Sequence, residues 1–185
     1  MKELVLGGNR SGKSQYAERR AATSGLAVTY VATATASDPE MLARVAQHRL
    51  RRPKGWHLVE EPIALTRVLK EHAHPDRCLL VDCLTLWLTN LLCSTEHKHP
   101  IRESAGYALL QRETEALLQR LPLLPGWVIL VSNEVGLGII PMGELSRVFA
   151  DEAGLLNQKL AALCDRVTLV VAGLPYSLKD EIRDA

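Results

Sequence analysis

Residues 7–14 read Gly7-Gly8-Asn9-Arg10-Ser11-Gly12-Lys13-Ser14 and match the pattern G-x-x-x-x-G-K-S/T at every position. The glycines let the backbone turn its N–H groups toward phosphate oxygens, and the start of a following helix adds a partial positive charge. In this pattern Lys13 reaches the β- and γ-phosphates of a nucleotide, and the Ser14 hydroxyl ligates Mg²⁺. A glycine-rich turn that only caps a helix explains the glycines but not the Lys13-Ser14 pair. The stretch therefore predicts a phosphate-binding loop between a strand and a helix.

Outward from this loop, short aliphatic runs alternate with longer segments of helical periodicity. The runs are apolar on both faces, which is typical of strands buried in a parallel sheet. We predict strands at residues 3–6, 27–32, 78–81, 127–131 and 167–171, and helices at residues 13–23, 39–50, 63–72, 101–121 and 144–163. This alternation predicts an α/β fold with a mostly parallel central sheet and helices on both faces, in a single domain of residues 1–185. Ligands of such sheets bind at the carboxyl ends of the strands.

Composition restricts the classes of function. Of the 185 residues, 47% are hydrophobic and 23% are charged, and the formal net charge is +1. That balance is typical of a globular protein and lacks the basic excess of a nucleic-acid-binding chain. The apolar runs are much shorter than a membrane span, and the first predicted strand begins at residue 3, which leaves no room for a signal peptide. We therefore expect a cytoplasmic protein with neither nucleic acid nor membrane as a partner.

Cysteine usage points to the same compartment. Cys78, Cys83, Cys93 and Cys164 form no CxxC pair and lie among apolar residues. This placement predicts reduced, buried thiols in a cytosolic protein.

An acidic residue closes the third predicted strand, which reads Cys78-Leu79-Leu80-Val81-Asp82. A phosphate-loop enzyme needs a second carboxylate for its metal at the end of a neighbouring strand. The sequence therefore favours Asp82 as a ligand of Mg²⁺ or of a Mg²⁺-bound water. The alternative is that Asp82 caps the following helix.

Residues 41–59 contain no acidic side chain but hold several basic ones. Arginine makes bidentate contacts to phosphate, so the segment is a candidate site for the charged end of a nucleotide. A solvated helix face and a nucleic-acid patch are the alternatives. His48 lies within this segment, and a neutral imidazole can attack phosphorus to form a covalent intermediate. A surface or capping histidine is the alternative for His48. The basic residues are Arg44, Arg49, Arg51, Arg52 and Lys54.

The fourth predicted strand is followed by residues 132–141, which read Ser-Asn-Glu-Val-Gly-Leu-Gly-Ile-Ile-Pro. Polar residues and then glycines at the carboxyl end of a strand indicate a substrate loop. An ordinary connection with glycines for tight turning is the alternative.

Several segments together resemble one family. They are GGNRSGKS (7–14), YVATA (30–34), the pattern Glu40-Met41, Arg44, His48-Arg49, Arg52-Pro53 and Trp56, VDCLTLWLTNLL (81–92), VSNEVGLGIIP (131–141) and the helix around Asn157-Gln158. The chain resembles the bifunctional adenosylcobinamide kinase / adenosylcobinamide-phosphate guanylyltransferases of cobalamin biosynthesis. The matching segments span nearly the full length in the family's order. The phosphate loop is generic, whereas the segments around His48 and residues 131–141 are much more specific.

The resemblance implies two reactions in one enzyme. The first moves the γ-phosphate of ATP or GTP to the hydroxyl of the aminopropanol arm of adenosylcobinamide. The second moves GMP from GTP to that phosphate, giving adenosyl-GDP-cobinamide and pyrophosphate. It also implies a RecA-like phosphate-loop fold and a homotrimer. From the residues alone, a monofunctional small-molecule kinase and a nucleotide-gated binding module remain the alternatives.

The resemblance also implies roles for individual residues. His48 would carry the guanylyl group, and Lys13 would act on phosphates in both steps. Ser14 and Asp82 would hold Mg²⁺, although Asp82 stands where the family pattern has Glu, so that its shorter carboxylate would work through water. The implied nucleotide-binding residues are Gly7, Gly8, Asn9, Arg10, Ser11, Gly12, Lys13, Ser14, Ala32, Thr33, Ala34, Arg49, Leu50, Arg51, Arg52, Glu60 and Asp82.

Overall fold

A computed structural model describes residues 1–35, 53, 55–95 and 100–180. Within these ranges the chain forms a seven-stranded sheet of order β3-β2-β4-β5-β1-β6-β7. All neighbouring strands are parallel except β7, which is antiparallel to β6. The elements are β1 (Lys2–Gly7), α1 (Lys13–Ala22), β2 (Ala27–Ala32), β3 (His57–Glu60), α2 (Leu65–His72), β4 (Arg77–Asp82), α3 (Leu84–Leu92), α4 (Ala105–Arg120), β5 (Trp127–Asn133), α5 (Glu144–Leu163), β6 (Arg166–Val171) and β7 (Leu174–Asp180).

Side chains on both faces of the sheet are buried. In β4, Leu79 and Val81 join the larger core cluster, while Cys78 and Leu80 join the smaller one. Helices α2 to α5 cover the larger cluster, and α1 covers the other face through Ala17 and Ala21. The strand between β1 and β4 is β5, so one strand separates the phosphate loop from Asp82. The predicted α/β fold with a mostly parallel central sheet and helices on both faces is confirmed.

Most predicted elements are present, some with the predicted ends and others with ends shifted by one or two residues. The helix predicted at 144–163 is Glu144–Leu163, and the one predicted at 63–72 begins at Leu65. The helix predicted at 101–121 is instead a 3-10 turn, Ile101–Glu103, followed by α4. Ser104 separates the two and caps α4, because its hydroxyl accepts a hydrogen bond from the Tyr107 N–H at 3.1 Å. The helix predicted at 39–50 lies outside the described residues.

Three elements were not predicted. Strands β3 and β7 lie at the two edges of the sheet, where most of their side chains are exposed and the sequence lacks a continuous apolar run. Helix α3 is apolar on nearly all sides, so LTLWLTNLL shows no polar face. Trp87, Leu88 and Leu91 of α3 are fully enclosed between the sheet and α4.

All four cysteines are free thiols. Cys78, Cys83 and Cys164 are buried as predicted, but Cys93 is exposed, so the prediction was wrong for that residue. Cys93 is the C-cap residue of α3, the first position after the buried Leu91 and Leu92. Burial raises the pKa of the Cys78 and Cys164 thiols to about 12, which keeps them protonated at neutral pH. Among the described helices, none has the length and apolarity needed to cross a bilayer.

Candidate nucleotide site

The phosphate loop connects the buried strand β1 to α1 through a tightly packed backbone. Gly12 has φ +94°, a conformation that glycine adopts without strain, and its carbonyl accepts the first helical hydrogen bond from the Tyr16 N–H at 2.9 Å. A Cβ on Gly7 would lie 2.4 Å from Ser11 Oγ and 2.5 Å from the Val170 carbonyl oxygen. These constraints fix the loop between β1 and β6. They explain the glycines at both ends of the motif.

Lys13 and Ser14 stand at the start of α1, as the motif predicts. Lys13 is only 8% exposed, and its Nζ donates to the Gly8 carbonyl oxygen at 3.3 Å, so the ammonium group folds back over the loop. The first turn of α1 holds no acidic residue that would neutralise the positive end of the helix dipole. The combination of helix terminus, lysine and turned backbone is suited to bind an anion such as a nucleotide phosphate.

The strand register brings the other predicted residues to the same edge of the sheet. Gly7 pairs with Asn133 across β1 and β5, and Ala32 pairs with both Glu60 and Asp82 across β2, β3 and β4. All of these positions are carboxyl ends of parallel strands. The structure therefore places the phosphate loop, Asp82, Glu60 and residues 32–34 along one edge, where ligands of such sheets bind.

Asp82 is half-buried and is held by a neighbouring strand. The Tyr30 hydroxyl donates to Asp82 Oδ2 at 2.9 Å. Helix α3 begins at Leu84 with Cys83 as its N-cap and without a side-chain cap hydrogen bond, so helix capping is not the role of Asp82. Together with the Ser14 hydroxyl, the Asp82 carboxylate supplies the hard oxygen ligands that suit Mg²⁺. Within the described ranges, no group of three or more His, Cys, Asp or Glu residues is arranged to hold a metal ion by itself.

Thr33 clamps the exit of β2 to the start of α3. Its hydroxyl donates to the Cys83 carbonyl oxygen at 2.7 Å and accepts from the Cys83 N–H at 2.9 Å. Thr33 is fully buried, and its backbone N–H also donates to the Asp82 carbonyl oxygen at 3.3 Å, so its polar groups are engaged within the protein. Asn90 supports the same turn, because its Nδ2 donates to the Thr33 carbonyl oxygen at 2.7 Å and its Oδ1 accepts from Thr35 Oγ1 at 3.0 Å.

Residues 132–141 begin at this edge and then extend away from it. The Glu134 N–H donates to the Gly7 carbonyl oxygen at 3.0 Å, which joins the start of this segment to the phosphate loop. Beyond it the apolar side chains are exposed, with Ile139 98% and Met142 96% accessible. The segment also lines a cavity of about 370 Å³ with Arg102 and Arg147. The segment therefore starts at the phosphate loop and leads to an open, partly apolar surface, and its role as a substrate loop stays a prediction.

His48, Arg49, Leu50, Arg51 and Arg52 lie outside the described residues, as do Arg44 and Lys54. The chain that follows them is anchored close to Asp82. The Trp56 ring stacks on Tyr30 with 6.4 Å between ring centroids, and the Tyr30 hydroxyl is the group that binds Asp82. Tyr30 therefore contacts both Trp56, near the carboxyl end of segment 41–59, and Asp82, the predicted metal ligand.

Sequence reasoning did not single out Tyr30, Thr85 or Asn133. Their side chains meet others that are distant along the chain: Tyr30 contacts Asp82, and Asn133 Nδ2 donates to Thr85 Oγ1 at 2.7 Å. A signal was present for Asn133, which lies two residues after the predicted buried strand 127–131, in the polar segment Ser132-Asn133-Glu134.

Comparison with known proteins gives a consistent result. Residues 3–178 match the family described as cobinamide kinase / cobinamide phosphate guanyltransferase. The bifunctional adenosylcobalamin biosynthesis protein CobP of Pseudomonas aeruginosa is 57% identical over 181 residues, which cover 98% of this chain and 99% of that protein. The bifunctional adenosylcobalamin biosynthesis protein CobU of Escherichia coli is 38% identical over 183 residues, covering 95% of this chain and 98% of that protein. Among solved structures, the RadB recombinase matches with a TM-score of 0.47 and 21% identity over 91% of this chain and 73% of that one.

Proposed function

The chain belongs to the cobinamide kinase / cobinamide phosphate guanyltransferase family, and from this premise we propose that it catalyses both reactions of that name. It phosphorylates the aminopropanol hydroxyl of adenosylcobinamide with ATP or GTP. It then transfers GMP from GTP to the new phosphate, giving adenosyl-GDP-cobinamide and pyrophosphate. The observation that carries this proposal is the meeting of the phosphate loop, Asp82 and Glu60 at one edge of the sheet, in a chain that matches the family over nearly its whole length.

The kinase step uses the phosphate loop and its lysine. The backbone N–H groups of residues 8–14 bind the β- and γ-phosphates, and Lys13 leaves its resting contact with the Gly8 carbonyl to pair with them. Phosphoryl transfer depends mainly on positioning and on neutralising charge that spreads over the γ-phosphoryl oxygens. Lys13 supplies that neutralisation from a nearly buried position, where an electrostatic interaction is stronger than in water.

Ser14 and Asp82 would hold Mg²⁺, which when bound screens the negative charge of the phosphates. The Tyr30 hydroxyl orients the Asp82 carboxylate for this task. The carboxylate of aspartate is shorter than that of glutamate, and a water between Asp82 and the metal would span the remaining gap.

The guanylyl step uses His48 as a nucleophile on the α-phosphorus of GTP. The imidazole nitrogen forms a bond to phosphorus, and the bond between the α-phosphorus and the α–β bridging oxygen breaks as pyrophosphate leaves. Attack by the cobinamide phosphate then releases His48. Residues 41–59 contain no carboxylate that would repel the nucleotide, and Arg49, Arg51 and Arg52 supply phosphate-binding side chains. Two successive inversions predict retained configuration at the α-phosphorus.

The same proposal includes the cellular compartment of the enzyme, its oligomeric state and the location of the corrinoid. The four free thiols suit a reducing cytoplasm. We propose a homotrimer, with the corrinoid bound beside the exposed apolar residues of segment 132–141.

Parallel reactions with adenosylcobinamide and differently labelled GTP test the proposal. With γ-labelled GTP the label should appear in adenosylcobinamide phosphate, and with α-labelled GTP it should appear in adenosyl-GDP-cobinamide. Transfer of the γ-label without transfer of the α-label would indicate a monofunctional kinase. Tight nucleotide binding without transfer of either label would contradict both activities.

A further inference from the structure

Asn133 closes β5 between the phosphate loop and Asp82. In the sheet β5 lies between β1 and β4, and the register pairs Asn133 with Gly7 and Val131 with Asp82. Asn133 therefore lies two residues, or roughly 6–7 Å, farther along the strand direction than Asp82. It is the last residue of β5 and lies at the same carboxyl edge of the sheet as the phosphate loop.

Asn133 is held through its side-chain amide and through its backbone carbonyl. Its Nδ2 donates to Thr85 Oγ1 at 2.7 Å, and Thr85 is buried at the start of α3, where its Oγ1 also contacts Cys83 Sγ at 3.1 Å. On the other side Asn157 Nδ2 of α5 donates to the Asn133 backbone carbonyl oxygen at 3.3 Å. With its nitrogen bound to Thr85, the side-chain amide has only its oxygen left to accept a hydrogen bond.

The oxygen of this amide is a buried acceptor without a hydrogen-bond partner among the described residues. Leaving such an atom unsatisfied costs about 1–3 kcal/mol, so its position calls for a functional explanation. Three other buried polar atoms near this strand end also lack a hydrogen-bond partner among the described residues. They are Ser11 Oγ in the phosphate loop, Ser132 Oγ and Asn157 Oδ1.

The chemistry of the amide oxygen restricts its partner. An amide oxygen only accepts hydrogen bonds, so a phosphate oxygen of the nucleotide cannot pair with it. The partner must donate. In the kinase step the acceptor hydroxyl is a donor that must lie within reach of the γ-phosphorus.

We propose that Asn133 is a catalytic residue of the kinase step, in which Oδ1 accepts a hydrogen bond from the acceptor hydroxyl and directs its oxygen toward the γ-phosphorus. This inference rests on the proposed function. A bond forms between the hydroxyl oxygen and the γ-phosphorus, and the bond between that phosphorus and the β–γ bridging oxygen breaks. The electron pair leaves on the nucleoside diphosphate, and the hydroxyl proton passes to solvent. Asn133 remains neutral throughout, and Thr85 acts as a positioning residue through it.

The two steps of the enzyme differ in their need for this contact. Guanylylation of His48 has an imidazole nitrogen as the nucleophile and involves no acceptor hydroxyl. Loss of the Asn133 amide should therefore slow phosphorylation of adenosylcobinamide and spare the labelling of the enzyme by α-labelled GTP. A purely structural role would slow both.

The test compares these two activities in Asn133→Ala, Thr85→Val and Thr85→Ser. In Asn133→Ala we expect kcat of the kinase step to fall by roughly 10- to 100-fold, because orientation of the nucleophile is lost. We expect KM for the nucleotide and the extent of α-labelling to stay within about threefold of wild type, because neither depends on the acceptor hydroxyl. Thr85→Val preserves shape but removes the hydroxyl that binds Asn133, so its kinase kcat should also fall, and Thr85→Ser should restore it.

Other outcomes would overturn the assignment. Equal loss of kinase activity and α-labelling would indicate a structural role, and a raised requirement for Mg²⁺ in both steps would indicate that Asn133 serves the metal. An unchanged kinase kcat in Asn133→Ala would show that the acceptor hydroxyl does not depend on a hydrogen bond to Asn133. If Asn133→Ala does not fold, equal activities in Thr85→Val and Thr85→Ser would contradict the proposal. Absence of kinase activity in the wild-type enzyme would instead refute the proposed function, and this assignment with it.

Discussion

The Tyr30 hydroxyl donates to Asp82 Oδ2 at 2.9 Å, joining two residues that are 52 positions apart in the sequence. Tyr30 and Asp82 lie on the adjacent strands β2 and β4, and the tyrosine ring also stacks on Trp56 at the end of the basic segment. One side chain therefore connects the candidate metal ligand with the chain that follows His48.

This contact predicts how Mg²⁺ dependence responds to substitution. Asp82→Asn removes the carboxylate charge and should lower kcat of the kinase step by about 100-fold. Tyr30→Phe keeps the Asp82 carboxylate but removes the hydrogen bond that orients it. This variant should raise the Mg²⁺ concentration for half-maximal activity by about tenfold. Tyr176→Phe is the matched control, because Tyr176 is 68% exposed on β7. A Tyr30→Phe enzyme with the wild-type Mg²⁺ dependence would show that the tyrosine does not orient Asp82 for the metal.

Lys13 should matter for both reactions and little for folding. Its Nζ donates to the neutral Gly8 carbonyl at 3.3 Å, a weak contact, so Lys13→Ala should change the free energy of unfolding by about 1 kcal/mol or less. Both kinase activity and α-labelling should fall by about 100-fold or more, since the lysine neutralises phosphate charge in each step. Lys159→Ala, at an exposed position of α5, is the control. Loss of one activity alone would contradict a shared phosphate site.

The glycines of the phosphate loop should differ in their effect on stability. Gly7→Ala places a Cβ 2.5 Å from the Val170 carbonyl oxygen, and this backbone contact cannot be relieved by rotating a side chain. We expect a loss of about 2 kcal/mol, equivalent to a decrease in Tm of about 4–8 °C for a protein of this size. Gly8→Ala meets nothing within 4 Å and should leave Tm nearly unchanged. Thermal denaturation without nucleotide measures both, and equal Tm values would rule out the close packing of β1 against β6.

Glu61 should give the fold a pH-dependent stabilisation. Burial raises the pKa of Glu61, but hydrogen bonds from the Ala64 and Ile63 N–H groups and from Arg67 outweigh it, and the net pKa lies below 4.5. Because the folded pKa is lowered, the stabilisation is complete above the unfolded pKa and is lost as the pH falls through the folded value. Glu61→Gln should therefore cost about 1–3 kcal/mol at pH 7 and progressively less as the pH falls below 4.5.

Denaturant unfolding at pH 7 and at acidic pH measures this difference. Glu71→Gln is the control, because Glu71 also pairs with Arg67 but is half-exposed, where an ion pair contributes little. A cost for Glu61→Gln that does not change with pH would contradict the account.

The interior of the sheet and the phosphate loop were predictable because their signals are local. Residues 7–14 form a contiguous motif, and the five predicted strands are buried on both faces, so each reads as an aliphatic run. Strands β3 and β7 pair on one side only, and their exposed polar residues interrupt any run. Helix α3 lacks a polar face because the sheet and neighbouring helices surround it.

The candidate site was predictable in part for the same reason. Lys13, Ser14 and Asp82 are recognised from their own motif or strand end. Tyr30 and Asn133 acquire their roles from partners 52 and 48 residues away, and only the register of the sheet brings those pairs together. A pattern along the chain carries no information about such contacts.

We propose above all that His48 carries the guanylyl group. The most direct measurement incubates the enzyme with Mg²⁺ and α-labelled GTP, denatures it, and follows the bound label in wild type, in His48→Ala and in His74→Ala, an exposed histidine that contacts Asp76. We predict a label stable in alkali and labile in acid, as expected for a phosphoramidate, present in wild type and His74→Ala and absent from His48→Ala. No covalent label in an enzyme that still binds GTP, or an undiminished label in His48→Ala, would contradict the account.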